Sequence, residues 1–202
     1  MHAPDAWDVS TGGGVVVAIL DSGLSLNHPE FSGRVVQGYN FVNNSTEARD
    51  DNGHGTHVAG IVGMGIDNGV GSVGIAPNAI IMPIKVLDSE NFGALDQINE
   101  GIVFAVNRGA KVINMSLASR EKSLVLLEDA LNFAATHDVL VVAAVGNEAS
   151  NTPMYPAWYD QTMAISATNP KDNFWGLSNW GEWVDISAPG ETVWSTWWKK
   201  GG

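Results

Sequence analysis

A run of small residues sets the first condition on how this chain folds. Residues 53 to 64 are Gly-His-Gly-Thr-His-Val-Ala-Gly-Ile-Val-Gly-Met. Glycine in a solvated helix costs about 1 kcal/mol relative to alanine, so the segment predicts a buried helix whose backbone another element approaches closely. His54 stands between two glycines at the start of this helix, where little would block a ligand. The alternative is that His54 and His57 only cap and pack the helix.

Short apolar runs alternate with helical stretches along the rest of the chain. The runs that predict strands cover residues 15–20, 34–41, 80–87, 112–117, 139–145, 163–168 and 183–188. Alternation of this kind is typical of a mostly parallel sheet with helices on both faces, so we predict a three-layer α/β fold. No linker or repeat interrupts the pattern, and 202 residues suit one core, so residues 1–202 are expected to form a single domain.

The charge balance argues against several classes of partner. The sequence has 22 Asp and Glu against 10 Lys and Arg, which gives a formal net charge of -12. Such a chain repels nucleic acid and anionic membranes, so we expect neither as a partner. The absence of cysteine excludes disulfides and thiolate chemistry. No export signal and no apolar run of about 18 residues is present, so we expect a soluble chain whose signal, if it had one, has been removed.

Three polar side chains are expected to converge at one edge of the sheet. Asp21 and Asn147 each follow an apolar run, and the carboxyl ends of parallel strands are where reactive groups gather. With His54 they supply three of the four parts of a serine hydrolase: an orienting carboxylate, a general base and an oxyanion donor. Each residue could instead be a turn or cap residue.

Three segments resemble, in the same order, the aspartate, histidine and oxyanion motifs of the subtilisin-like serine proteases. They are Val16-Val17-Ala18-Ile19-Leu20-Asp21-Ser22-Gly23, Gly53-His54-Gly55-Thr56-His57-Val58-Ala59-Gly60 and Ala144-Val145-Gly146-Asn147-Glu148. The resemblance runs from about Ala3 to the end of the chain. It implies that Asp21 orients His54, that His54 takes the proton of a nucleophilic serine, and that Asn147 donates to the oxyanion.

The resemblance also implies where an extended peptide substrate would bind. Ser116-Leu117-Ala118 resembles the segment that pairs with the substrate backbone. Ala144-Val145-Gly146 and Tyr155-Pro156-Ala157 resemble the walls of the primary specificity pocket. Ala118 and Ala157 stand where the family often has glycine, so the preference of the pocket stays open.

A polar, glycine-rich loop at residues 66 to 72 resembles the family's calcium loop. The resemblance implies Ca²⁺ as a cofactor, held by the Asn68 side chain, a carboxylate from Glu30 and three carbonyl oxygens. The carbonyls are those of Ile66, Val70 and Ser72. Oxygen donors suit a hard cation. The alternative is a solvated loop without metal.

The family's nucleophile motif is missing from the sequence. A Gly-Thr-Ser-Met-Ala type segment is expected roughly twenty residues after Ala188-Pro189-Gly190, and no Gly-Thr-Ser occurs in the chain. We therefore expect a subtilisin-like fold that lacks its C-terminal third. Two functions remain: a secreted serine endopeptidase domain, inactive without the serine segment, or a non-catalytic pseudoprotease that binds extended peptides or self-associates.

The end of the chain is rich in tryptophan. Six of the eight tryptophans follow residue 174: Trp175, Trp180, Trp183, Trp194, Trp197 and Trp198. Without the missing segment, apolar core would be left uncovered, and exposed apolar area of several hundred Å² is unusual in a monomer. We expect the tail to fold over this gap or to swap into a second copy, and so predict a homodimer or higher oligomer.

Overall fold

One seven-stranded parallel sheet organises the part of the chain that the computed structural model describes, residues 3–121 and 125–198. The strands are β1 Val16–Asp21, β2 Tyr39–Asn40, β3 Ile80–Lys85, β4 Val112–Met115, β5 Leu140–Ala144, β6 Thr162–Thr168 and β7 Ile186–Pro189, in the spatial order β2-β3-β1-β4-β5-β6-β7. The helices are α1 Ala3–Trp7, α2 His54–Gly63, α3 Leu95–Asn107 and α4 Val125–Thr136, with a 3₁₀ turn at Pro29–Phe31. None of them is long and apolar enough to cross a membrane.

The central strands alternate their side chains between two apolar layers. Val17 and Ile19 of β1 pack with Val58 and Ala59 of α2 on one face. The intervening side chains belong to the larger core on the other face, with residues of α3 and α4. The period of two therefore places helices on both faces, which confirms the predicted three-layer α/β fold.

Two predicted strands are shorter in the structure than expected. The run from 34 to 41 joins the sheet only at Tyr39–Asn40, apart from an isolated bridge between Val35 and Ile81. Pro83 of β3 lies between these two pairings, and because it has no N–H it cannot continue the ladder. The run from 183 to 188 becomes a strand only at Ile186, since the Val184 N–H donates to Gly181 O at 3.2 Å in a turn.

The α2 face of the sheet is covered over only part of its width. Strands β1 and β3, which contact α2, are buried along nearly their whole length. In β4, β5 and β6 burial alternates instead, and every second side chain is partly exposed. The partly exposed side chains are Val112, Asn114, Val142, Ala144, Met163 and Ile165. We call this surface the open sheet face.

The tryptophan-rich tail folds back onto α2 of its own chain. Ser195 Oγ donates to His57 O at 2.6 Å, and Thr196 Oγ1 donates to Thr56 O at 2.7 Å. Gly60 permits this approach, because a Cβ there would lie 2.3 Å from both hydroxyls. Trp194 and Trp197 remain 84% and 57% exposed, so neither indole is buried over a gap in the core, contrary to that part of the expectation.

Candidate active site

Asp21 and His54 meet at the carboxyl edge of the sheet. Asp21 is the last residue of β1 and is fully buried, and His54 is the first residue of α2 with a side chain 40% exposed. His54 Nδ1 lies 2.7 Å from Asp21 Oδ1 and 2.9 Å from Oδ2. Nδ1 therefore carries a proton toward the carboxylate, and Nε2 is left to accept one from a nucleophile.

A second buried carboxylate, Asp50, holds the start of α2. Asp50 is 1% exposed and accepts hydrogen bonds from the N–H groups of Asn52, Gly53 and Thr56, all at 2.9 to 3.0 Å. Burial alone would raise the pKa of Asp50, but the hydrogen bonds from Thr56 and these backbone groups hold it below its usual range. The carboxylate thus satisfies the Thr56 N–H, which has no partner within the helix, and two N–H groups of the turn that leads into it.

The turn after β1 is docked directly against α2. Ser22 Oγ accepts from the Gly55 N–H at 2.9 Å and donates to Asp50 Oδ1 at 2.9 Å. A Cβ at Gly55 would lie 2.3 Å from Gly23 O, a distance that backbone atoms cannot tolerate. Gly55 therefore sets the separation between the element that carries His54 and the element that carries Asp21.

Lys85 is a buried member of this site that the sequence analysis missed. Its Nζ donates to Ser22 O at 2.7 Å, Leu87 O at 2.8 Å and Asp51 Oδ1 at 2.6 Å. The side chain is 3% exposed, so the ion pair with Asp51 ties the turn after β1 to the loop that precedes His54. The sequence signal that could have indicated a buried lysine was its position at the end of the apolar strand Ile80–Lys85.

The electrostatic surroundings favour the protonated form of His54. The hydrogen bond with Asp21 raises the pKa of His54 above its usual range; burial opposes this shift, and the charges of Asp21 and Asp50 add to it. A raised pKa means that the pair stabilises the fold fully below about pH 6.5, and that this contribution is lost as the pH rises through the folded-state pKa.

A cleft of about 420 Å³ opens beside His54. One wall contains the predicted substrate segment Ser116, Leu117 and Ala118. The sequence analysis missed the facing wall, which consists of Leu87, Asn91, Phe92, Gly93, Leu95 and Ile98. Leu95 and Ile98 have helical spacing, and a periodic pattern alone cannot show whether an apolar side chain faces the core or a cleft.

Asn147 lies at the same edge of the sheet as Asp21. It follows β5, is exposed, and comes directly after Gly146, whose φ of 97° turns the chain away from the strand. In the sheet, β4 lies between β1 and β5, so the ends of β1 and β5 are about 10 Å apart. Asp21 is the last residue of β1, and Asn147 comes three residues after the end of β5.

Two of the side chains predicted to form the walls of the specificity pocket are buried in the core. Ala144 is partly exposed, but the Val145 and Ala157 side chains are each 2% exposed and belong to the main core. Met154, which the sequence analysis did not single out, is 3% exposed and lies against Gly146, where a Cβ would come within 3.2 Å of its Cγ.

The predicted calcium ligands lie near one another around Glu30. Glu30 is 3% exposed, and its Oε2 accepts from Gly65 N at 3.0 Å and Asn68 Nδ2 at 2.8 Å. Its other oxygen, Oε1, is buried and has no hydrogen-bond partner within the described part of the chain. Val70 and Ser72 line the same pocket as Glu30, and Ile66 begins the loop that contains them.

The serines near these elements are engaged elsewhere. Ser116 Oγ accepts from Asn114 Nδ2 at 2.9 Å, and Ser187 Oγ lies 2.6 Å from Ser166 Oγ. Ser178 is 1% exposed, with its hydroxyl bonded to backbone. Across residues 3–121 and 125–198, no serine hydroxyl forms a hydrogen bond with the His54 ring.

Comparisons with known proteins point to one family. Residues 12–201 match the subtilase family model. Thermitase from Thermoactinomyces vulgaris is 40% identical over 196 residues, which is 97% of this chain and 70% of thermitase. A thermophilic serine proteinase from Bacillus sp. strain AK1 is 41% identical over 192 residues. The matched region is 95% of this chain but only 48% of that proteinase. A cold-adapted subtilisin-like serine proteinase of known crystal structure superposes with a TM-score of 0.85 at 33% identity, over 93% of this chain and 67% of that one.

Proposed function

The chain belongs to the subtilase family of serine proteases, and on that premise we propose that it is an endopeptidase domain in which Asp21 and His54 activate a serine from outside these 202 residues. His54 Nε2 takes the proton of the serine hydroxyl during attack and returns it to the leaving amine. Asp21 holds the ring in the required tautomer and stabilises its protonated form. Asn147 donates its side-chain amide to the oxyanion.

The contact between His54 Nδ1 and both oxygens of the buried Asp21 carries this proposal. His54 also lines a cleft, so the general base stands where a substrate would bind. The cleft beside it has Ser116 to Ala118 along one wall, which suits an extended peptide as substrate.

The open sheet face is a surface on which a serine-bearing segment from outside these residues would pack. It exposes apolar side chains of β4, β5 and β6 beside α2, and a helix laid there would restore a complete layer on this side. Such a helix would begin near the edge where His54 and Asn147 lie. A polypeptide of these residues alone is therefore expected to bind peptides without cutting them, which is the pseudoprotease alternative.

Labelling with a fluorophosphonate tests this function. The 202-residue chain should remain unlabelled, because no serine of residues 3–121 and 125–198 forms a hydrogen bond with the His54 ring. A chimera in which the Gly-Thr-Ser-bearing segment of thermitase is joined after residue 202 should be labelled, and His54→Ala should abolish the labelling. Labelling of the 202-residue chain that His54→Ala removes would reveal a surrogate serine. A folded chimera that is never labelled would refute the proposed function.

We also propose that Glu30 and the loop from residue 66 to 72 bind Ca²⁺. The buried Glu30 Oε1 has no partner in the described residues, and a buried carboxylate oxygen without a partner is costly. A hard cation beside it, completed by the carbonyls of Ile66, Val70 and Ser72, would satisfy that atom. Asn68 directs its Nδ2 to Glu30 and its Oδ1 accepts from the Val70 N–H at 3.0 Å, so its oxygen would join the site only after the amide turns over. The ion would supply structural charge neutralisation and takes no part in the reaction.

Calcium should raise the melting temperature of the 202-residue chain. A ligand that binds only the folded state stabilises it by about 2.7 kcal/mol at 100 times its dissociation constant, which corresponds to roughly 5 to 10 °C for a domain of this size. Differential scanning calorimetry in excess Ca²⁺ and in chelator measures the shift. Glu30→Gln should abolish it, and Glu47→Gln on the surface should not. Superimposable melts in calcium and in chelator would exclude the site.

The 202-residue chain alone should self-associate through its open sheet face. Because the tail packs on α2 of its own chain, a second copy is the available cover for the exposed side chains of β4 to β6. Sedimentation velocity should show a dimer at micromolar concentration. Val142→Lys should dissociate it, whereas Leu126→Lys, at a side chain 66% exposed on α4, should not. A compact monomer at all concentrations would contradict this.

The family relationship also bears on where the protein acts. One relative, 41% identical over 97% of this chain, is the minor extracellular protease Epr of Bacillus subtilis. We propose that this protein is likewise secreted and acts on extracellular peptides or proteins. The lack of cysteine is compatible with this, since the core and a bound ion can replace disulfides.

A further inference from the structure

Three tryptophans surround a pocket that the proposed catalytic groups do not use. The pocket has a volume of about 590 Å³, and Trp158, Trp180, Trp183, Glu182 and Asn151 contribute to its lining. We call it the tryptophan pocket. Its volume lies in the range of pockets that bind small ligands.

Two of the three indoles are in direct contact, and two are substantially exposed. The Trp158 and Trp183 rings meet edge to face, with centroids 6.0 Å apart and planes at 67°. Trp183 packs against the main core, while Trp158 and Trp180 are 42% and 49% exposed. Gly181 passes so close to Trp183 that a Cβ would lie 2.4 Å from Nε1, so the backbone fixes that ring. Large exposed indoles held in this way are costly unless a ligand uses them.

The charges around the tryptophan pocket are negative. Glu182 lines it and, within the described residues, has no ion-pair partner. An adjoining cavity of about 340 Å³ shares Trp158, Trp183 and Glu182 and adds Asp160 and Asp185. From residue 123 to residue 198 the sequence contains a single lysine, at 171, and no arginine. Among the residues that the structure describes, no basic side chain lines either cavity, so none of them supplies a cation to the site.

Aromatic faces beside a carboxylate match the chemistry of a guanidinium group. The guanidinium is planar, so its face stacks on indole while the N–H groups at its edge donate to a carboxylate. It is also more weakly hydrated than an ammonium group. A neutral ligand of the same shape would gain the stacking but not the attraction to Glu182 and to the indole faces.

The tryptophan pocket is fastened to the loop that follows β5. The backbone N–H of Trp180 donates to the backbone oxygen of Ser150 at 3.1 Å. The Asn179 side-chain oxygen accepts from the N–H groups of Glu148 and Ser150, both at 3.0 Å. Asn151 is four residues beyond Asn147, so their Cα atoms are at most about 14 Å apart. A peptide held near Asn147 could therefore reach the pocket with a side chain a few residues away.

We propose that the tryptophan pocket binds the side chain of an arginine in a peptide, with the guanidinium stacked on the exposed indole of Trp158 or Trp180 and its donors directed to Glu182. That the peptide is a substrate rests on the proposed function; the binding of the guanidinium does not. The pocket then adds a preference for an arginine at a position of the peptide outside the cleft beside His54.

Titration of the 202-residue chain with N-acetyl-arginine amide and N-acetyl-citrulline amide tests the proposal. Citrulline has the same shape without the charge. We expect the arginine compound to shift the indole N–H resonances of Trp158, Trp180 and Trp183 saturably, and the citrulline compound to bind at least fivefold more weakly. Glu182→Gln and Trp180→Leu should each weaken arginine binding by at least fivefold. The controls Glu191→Gln and Trp194→Leu, at positions outside this pocket, should leave it unchanged.

Equal affinity for the two amides, saturation that neither Glu182→Gln nor Trp180→Leu alters, or the absence of binding would each overturn the proposal. Glu182 is exposed and its substitution is isosteric, so a folding defect would not explain a loss of affinity. The titration involves no catalysis. It can therefore fail while the chimera is labelled by the fluorophosphonate, or succeed while the chimera is not, which separates this proposal from the proposed function.

Discussion

Asp21→Asn is expected to lower kcat for a peptide substrate about 10⁴-fold in the chimera that carries the serine segment. The carboxylate accepts from His54 Nδ1 through both oxygens, at 2.7 and 2.9 Å, in a fully buried position. An asparagine of the same shape presents an N–H₂ group there, so the imidazole is held in the tautomer with its proton on Nε2. That nitrogen can then no longer accept the serine proton.

The pH profile separates this effect from a loss of folding. A general base must be neutral, so kcat of the parent chimera should rise with pH through the raised pKa of His54. In Asp21→Asn the midpoint should move down, because the main cause of the raised pKa is gone. Asp172→Asn, in an exposed turn, should leave rate and profile unchanged. A loss smaller than tenfold, with an unshifted profile, would show that Asp21 does not orient the base.

Gly55→Ala is expected to destabilise the fold by about 2 kcal/mol, although alanine has a higher helix propensity than glycine. Propensity alone favours alanine by about 1 kcal/mol within a helix. The added Cβ, however, would lie 2.3 Å from Gly23 O and 2.9 Å from Gly23 N, and these are backbone atoms that cannot rotate away. Overpacking of this kind costs about 1 to 3 kcal/mol or more, so the steric term decides the sign.

Urea denaturation of the 202-residue chain measures the free energy of unfolding. Gly176→Ala is the matched control, because a Cβ there has no atom within 4 Å and its expected effect is near zero. Relief of the clash at Gly55→Ala would move α2 away from Asp21 and weaken the hydrogen bond that raises the pKa of His54. The pKa of His54 should therefore fall in this variant, and an NMR titration of the His54 ring measures it. Increased stability together with an unchanged His54 pKa would show that α2 is not held by this contact.

The elements of the fold and the main residues of the candidate site were predictable from local patterns. Apolar runs such as residues 15–20 have the composition of a buried strand, and a run of glycines after His54 implies close packing whatever the partner is. Parallel strands align their carboxyl ends, so Asp21, Asn147 and His54 could be placed at one edge before any distance was known. The distance itself, 2.7 Å between His54 Nδ1 and Asp21, came only from the structure.

Other features depended on contacts between residues far apart in sequence. Lys85 resembles a strand-end surface residue until Ser22 and Asp51 are seen to surround its Nζ. Leu95 and Ile98 have the spacing of core residues, yet only Ile98 is buried in the main core, whereas Leu95 is 39% exposed at the cleft beside His54. Periodicity shows which side chains share a face, but not what that face meets.

The sequence by itself therefore determined the α/β class, through short-range patterns of side-chain type and spacing, and indicated the family through motifs that resemble those of known members. It also predicted that Asp21, His54 and Asn147 lie at one edge of the sheet. Only the tertiary structure decided that the tail packs on α2, that β4 to β6 keep an open face, and that three tryptophans surround a negatively charged pocket. The physical reason is that such surfaces are made by segments up to about 140 residues apart, as Thr56 and Thr196 are. Their meeting depends on how the whole sheet stacks and closes, which no local preference encodes.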